Sequence, residues 1–73
     1  MNHSEFWSVV ERVFGSAYGR ALTGDLALAD LDYVTAEDAL AAGIPPQRVW
    51  LAICVEMDLD ESLTHYHRVK PTR

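Results

Sequence analysis

The chain has 73 residues, with six Lys or Arg against eleven Asp or Glu, a formal net charge of -5 and a single cysteine. That length allows one domain at most, and the charge opposes the electrostatic attraction that draws proteins to nucleic acid or anionic lipid. Cys54 alone excludes an intramolecular disulfide, and no run approaches the roughly 18 apolar residues of a membrane span. Met1 to Gly15 is interrupted by Glu5, Glu11 and Arg12, so it does not read as the apolar core of a secretory signal. The expected setting is a reducing cytoplasm. A domain this small hides only about 60% of its unfolded surface and depends on every large side chain. Two Trp, two Phe and three Tyr supply that burial.

In chain order, Ser4 is placed to cap a first helix over residues 4–14, with Glu5 in the first turn where a carboxylate suits the helix dipole. Phe6, Val10, Val13 and Phe14 recur at helical spacing. Trp7 and Val9 widen the stripe, while Ser8, Glu11 and Arg12 face away. Gly15 reads as the stop. Ser16 is then expected to cap a second helix, with Ala17, Tyr18, Ala21, Leu22, Leu26 and Ala29 on its apolar side and Leu28 at the edge. Gly19 and Gly24 cost such a helix about 1 kcal/mol each relative to Ala, and they fit either close helix approach or a frayed middle. Asp25, Asp30 and Asp32 place its end near Leu28 to Leu31. Asp32 to Val34 forms a linker from which Tyr33 or Val34 tucks back.

The most informative stretch is Thr35 to Met57. Thr35 to Asp38 fits a capping box with Asp in place of Glu, opening a short helix from Ala36 to Ala42 that Gly43 ends. Pro46 suits the first turn of the next helix, where its missing N–H has no partner to lose. Val49, Trp50, Ile53, Cys54 and Met57 give that helix, about Pro46 to Met57, its buried face. The expectation is an all-α domain over residues 1–60, a bundle of three to four short helices with a helix-turn-helix-like corner. Residues 61–73 form a polar tail that frays from about Thr64.

Four groups of residues carry a resemblance to a known family. They are Ser4-Glu5-Phe6-Trp7, then Phe14-Gly15-x-Ala17-Tyr18, then Thr35-x-x-Asp38-Ala39-Leu40-x-Ala42-Gly43, and last Pro46-x-x-Val49-Trp50-x-Ala52-x-Cys54. Over roughly residues 4–60 the chain resembles DUF3046, a small actinobacterial family of unknown function. Family members more often have an Asp cap at the position of Pro45. The resemblance implies a compact helical bundle in a bacterial cytoplasm and carries over no catalytic residue.

Several residues invite a functional reading. Ala39, Gly43, Ile44 and Val49 match the spacing of DNA-binding helix-turn-helix units, in which the second helix enters the major groove. Its exposed start would present Pro45, Pro46, Gln47, Arg48 and Leu51, of which Gln47 and Arg48 read base edges well. The same spacing arises wherever two helices pack at a tight corner. Arg48 is the corner's one basic residue, and Asp30, Asp32, Glu37 and Asp38 lie where the phosphates would pass. Nucleic acid is therefore the disfavoured partner. His65-x-His67, with His3 apart, lacks a third ligand for a metal site. Asp58, Asp60 and Glu61 lack the Gly and the spacing of a calcium loop. Cys54, inside an apolar stripe, reads as an inert small hydrophobe. No cofactor, metal or catalytic constellation is expected, and so no enzyme.

What remains is a protein–protein interaction module, monomeric or weakly dimeric, with Trp7, Trp50, Gln47 and Arg48 as candidate partner-binding residues. Phe6, Val10, Phe14, Leu22, Leu40, Val49, Ile53 and Cys54 are expected in the core, with Trp50 as an anchor or at its centre. A DNA-binding or regulatory accessory role through the corner is the alternative.

Overall fold

The computed structural model describes residues 1–59. Helix α1 spans His3–Phe14 and starts earlier than Ser4 because Asn2 supplies the cap. The Asn2 carboxamide oxygen accepts from the Glu5 N–H at 2.8 Å, and the Glu5 carboxylate accepts from the Asn2 N–H at 2.8 Å. This reciprocal pair satisfies two orphan donors, which a hydroxyl at position 4 would not. Gly15, at φ 87° and ψ 161°, ends α1 and is at once the cap residue of α2, Ser16–Asp25. That backbone region is essentially reserved for glycine and turns the chain within one residue. Ser16 is thus the first residue of α2 and makes no capping hydrogen bond.

The inward face of α2 differs from the expected one. Leu22 is buried as expected, but Ala17, Tyr18, Ala21 and Ala29 are exposed, and the helix buries Gly19 and Thr23 in their place. The reason is Gly19. A methyl placed there would stand 2.8 Å from a Val10 side-chain carbon and 3.4 Å from the Val10 carbonyl oxygen, so the two backbones approach where a side chain is missing. Thr23 is fully buried, and its hydroxyl donates to the Arg20 carbonyl at 3.1 Å, which removes the cost of burying it.

The second helix stops at Asp25, short of the expected Leu28 to Leu31. Leu26 is extended, and a 3-10 turn occupies Ala29–Leu31. The loop pairs its own backbone: Leu28 N–H to Val34 O at 2.9 Å and Tyr33 N–H to Leu28 O at 2.9 Å, with an isolated antiparallel bridge between Leu28 and Val34. Groups that a longer helix would have satisfied are met across the loop. Leu28 and Leu31 enter the core from this turn, which packs on α4. Asp32 and Tyr33 both take positive φ, 61° and 65°. Val34 tucks back as one of the two expected candidates; Tyr33 points out.

Helix α3, Ala36–Ala41, opens on Thr35, whose hydroxyl accepts from the Asp38 N–H at 3.2 Å. The other half of the expected box is not formed. The shorter Asp does not reach back as Glu5 does in α1. Gly43, at φ 93°, ends the helix in a Schellman motif: Ile44 N–H to Ala39 O at 3.0 Å and Gly43 N–H to Leu40 O at 3.1 Å. Helix α4, Pro46–Glu56, has proline in its first turn and ends the same way. Leu59 N–H donates to Cys54 O at 2.9 Å and Asp58 N–H to Val55 O at 3.2 Å, with Asp58 at φ 53°. Two corners of one geometry therefore bracket α4, and each brings an aliphatic residue, Ile44 or Leu59, back onto the core.

Helix α4 is the central element, contacted by α1, α3 and the 3-10 turn. Trp50, Phe6, Leu28, Ile53 and Val49 are its largest fully buried neighbours and members, and Val10, Leu22, Leu40 and Cys54 join them. Phe14 is only half-buried. Its ring meets Trp50 edge-on at 6.1 Å on one side and Tyr18 at 5.8 Å on the other, so it closes the core rather than sitting inside it. The chain is a small all-α bundle. Expectations for residues 61–73, including His65 and His67, lie outside the described residues.

Candidate functional site

The surface between α1 and α2 is concave, an open groove of about 600 Å³. One wall is a stripe of α1, with Ser4, Trp7, Ser8 and Glu11 at spacings of three and four residues. The facing wall is Ser16, Gly19 and Arg20 of α2 in the same register, and Glu37 closes the end from the first turn of α3. The floor exists because Gly19 and Val10 meet without an intervening side chain. Trp7 is 38% exposed, and its ring stands nearly perpendicular to that of the buried Phe6, centroids 5.1 Å apart at 83°. Its indole thus contacts the core through Phe6 while lining the groove. Glu11, Arg20 and Glu37 form no ion pair with one another or with any other described residue.

The four candidate partner-binding residues do not share a surface. Trp7 lines the groove. Trp50 is 0% exposed, packed under Phe14, and is corrected from a candidate anchor to a core residue. Its helix is covered by α1, α3 and the 3-10 turn, which leaves no solvent face at that position. Gln47 is half-buried at the start of α4, and only Arg48 of the corner pair is exposed. At the corner, Ala39 and Val49 are fully buried and Ile44 packs against the core, so the signature residues hold α3 to α4. Glu37 and Asp38 are exposed on the first helix of the corner. Three arginines stand against nine carboxylates within residues 1–59.

Cys54 is buried, and loss of hydration pushes its thiol up to about 11, so the nucleophilic thiolate is suppressed at neutral pH. Among the described residues no three His, Cys, Asp or Glu side chains converge as metal ligands. Asp58 serves as the left-handed residue of a helix stop. No helix among these residues is long and apolar enough to cross a membrane. Sequence reasoning placed Ser8 and Glu11 on the outward face of α1 and assigned them no role. The signal that marks them is the second stripe of α1, polar except for Trp7.

The fold and this groove define a class: small helical bundles with an interhelical cleft and, among the described residues, no cluster of metal-ligating side chains. The chain belongs to the family described as "Protein of unknown function (DUF3046)", which matches residues 1–62. No curated protein and no solved structure shows significant similarity to it.

Proposed function

We propose that this chain is a non-enzymatic protein–protein interaction module that engages its partner through the α1–α2 groove, with Trp7 as the anchor. The carrying observation is the exposed indole of Trp7, in contact with the buried Phe6 and set in a concavity rather than on a convex surface. A pre-positioned, partly apolar aromatic in a depression loses little entropy when covered, which is how interface hot spots arise. A photo-crosslinking residue at Ser8, on the groove wall, tests this in cells, with the same residue at Asp58 as the control. A discrete adduct from position 8 that disappears with Trp7→Ser supports the reading. Equal adducts from both positions, or none from position 8, count against it.

The corner supplies a second reading, because its Schellman turn and buried Ala39 and Val49 are features that DNA-reading helix-turn-helix units also have. Phosphate neutralisation is what it lacks: Arg48 is the corner's one cation, while Glu37 and Asp38 are exposed on its first helix. We therefore propose that it does not bind DNA on its own. Anisotropy titration against mixed duplex at low salt decides this. Micromolar binding that falls steeply with salt and is lost in Arg48→Ala would replace the interaction reading with the DNA one.

A further inference from the structure

We infer that the segment held in the α1–α2 groove is cationic: a Lys- or Arg-bearing stretch of a partner protein whose charged side chain lies over the Trp7 indole, between Glu11 and Glu37. This rests on the groove being the partner site. The groove presents two carboxylates and one guanidinium, none of them paired within the described residues. Glu11 stands in the last turn of α1, where the helix dipole is already negative, so its charge adds to the potential there instead of being offset by it. Its neighbour Arg12 does not line the groove. The indole face attracts a cation through its quadrupole, by about 0.5–1 kcal/mol when exposed and more as water is excluded. The hydroxyls of Ser4, Ser8 and Ser16 add neutral acceptors along both walls, suited to the several donors of an ammonium or guanidinium.

The other occupants fit less well. An acidic segment would find Arg20 alone to meet it in the groove and would have to approach a chain with six basic residues against eleven carboxylates. A second copy of the chain would bring that same excess against itself, with Glu11 and Glu37 facing a like-charged surface. A basic segment is drawn in from a distance and paired on arrival.

The test uses the full chain, isotopically labelled, and three synthetic amphipathic peptides of one Leu/Ala pattern whose polar positions are all Lys, all Gln or all Glu. The Trp7 indole N–H resonance reports occupation of the groove. The expected result is that the Lys peptide moves that resonance with a dissociation constant at least tenfold below that of the Gln peptide, and that the Glu peptide does not move it. Removing both groove carboxylates, Glu11→Gln with Glu37→Gln, should weaken the Lys peptide about tenfold, equivalent to about 1.4 kcal/mol. The pair Asp30→Asn with Asp58→Asn removes the same charge outside the groove and should change affinity less than twofold. Equal weakening in both pairs, or equal binding of the Lys and Gln peptides, overturns the inference while leaving the groove reading in place. If no peptide of any charge moves the Trp7 resonance, the groove reading itself fails. A Trp7 shift that instead follows protein concentration without peptide assigns the groove to a second copy and overturns the inference.

Discussion

Trp7 and Trp50 set two regions of this molecule against each other. Trp50 sits midway along α4, the helix that α1, α3 and the 3-10 turn all contact, with none of its surface in water. Trp7 sits one turn into α1, in contact with Phe6, with more than a third of its surface exposed. Both belong to short amphipathic helices of similar length. What separates them is phase. Around α1 the core-facing stripe runs through Phe6, Val9, Val10 and Val13, and Trp7 is one step, about 100°, off its start. It therefore begins the next stripe, the groove wall. The comparison teaches that an aromatic residue beside a core stripe is assigned by the register of its neighbours, and that burial alone distinguishes architecture from surface.

The largest expected effect belongs to the buried side of the comparison. Trp50→Ala removes the biggest fully buried side chain and its edge contact with Phe14, a loss of about 3–5 kcal/mol for a truncation of this kind. That is comparable with the whole stability of a domain this small, so circular dichroism at room temperature should show a largely unfolded chain. An unchanged melting temperature would break the comparison at its root. Next is Gly19→Ala, the floor of the groove. An added methyl meets a Val10 side-chain carbon at 2.8 Å, and that atom belongs to a buried β-branched residue with little freedom to rotate away. Overpacking of about 1–3 kcal/mol outweighs a helix-propensity gain of about 1 kcal/mol. The denaturation midpoint should fall; a rise would mean that α1 and α2 are not in close contact.

The parts of the fold that could be read from residues alone are those governed by local signals. Thr35, Gly43 and Pro46 each satisfy or remove specific backbone groups within a few residues of themselves, so the α3–α4 corner was legible to within a residue. The stretch from Leu26 to Val34 was not. Nothing local dictates that Leu28 and Leu31 enter the core from a turn; α4 dictates it by offering the surface on which they pack. Asp32 and Tyr33 take left-handed backbone where no glycine announces it, and Asp58 ends α4 without one. Tertiary burial and loop hydrogen bonding offset that strain, and neither is visible from spacing. The groove was half-legible. Its α1 wall has helical periodicity, but its floor depends on which face of α2 turns inward, and Gly19 decides that only once Val10 lies opposite.

On the exposed side, Trp7→Ala should cost much less than Trp50→Ala, about 1–2 kcal/mol, because more than a third of the side chain is already in water. The same change should remove most of the affinity for a groove partner, about 2 kcal/mol or more if Trp7 is the anchor. Thermal melts and peptide titration on one sample separate the two numbers. If Trp7→Ala destabilised the chain as severely as Trp50→Ala, the two tryptophans would have one role between them and the groove would be merely the edge of the core.

The smallest effect has the opposite sign and comes from the other glycine of α2. A methyl at Gly24 would stand 3.3 Å from a Glu37 carboxylate oxygen, the far end of a flexible and exposed side chain that can swing aside at little cost. Gly24 lies within helix bounds near the α2 terminus, so Gly24→Ala recovers part of the propensity difference between the two residues, about 0.5 kcal/mol. The melting temperature should therefore rise slightly where Gly19→Ala lowers it. The identical substitution, five residues apart on one helix, then reports a rigid neighbour in one case and a yielding one in the other. It also touches the groove, since the carboxylate that moves is the one closing its end. A displaced Glu37 should weaken a Lys-bearing peptide without affecting the uncharged one. A stabilised variant that bound both peptides as tightly as before would show that Glu37 contributes nothing to the groove's preference, and would leave Glu11 to carry the charge alone.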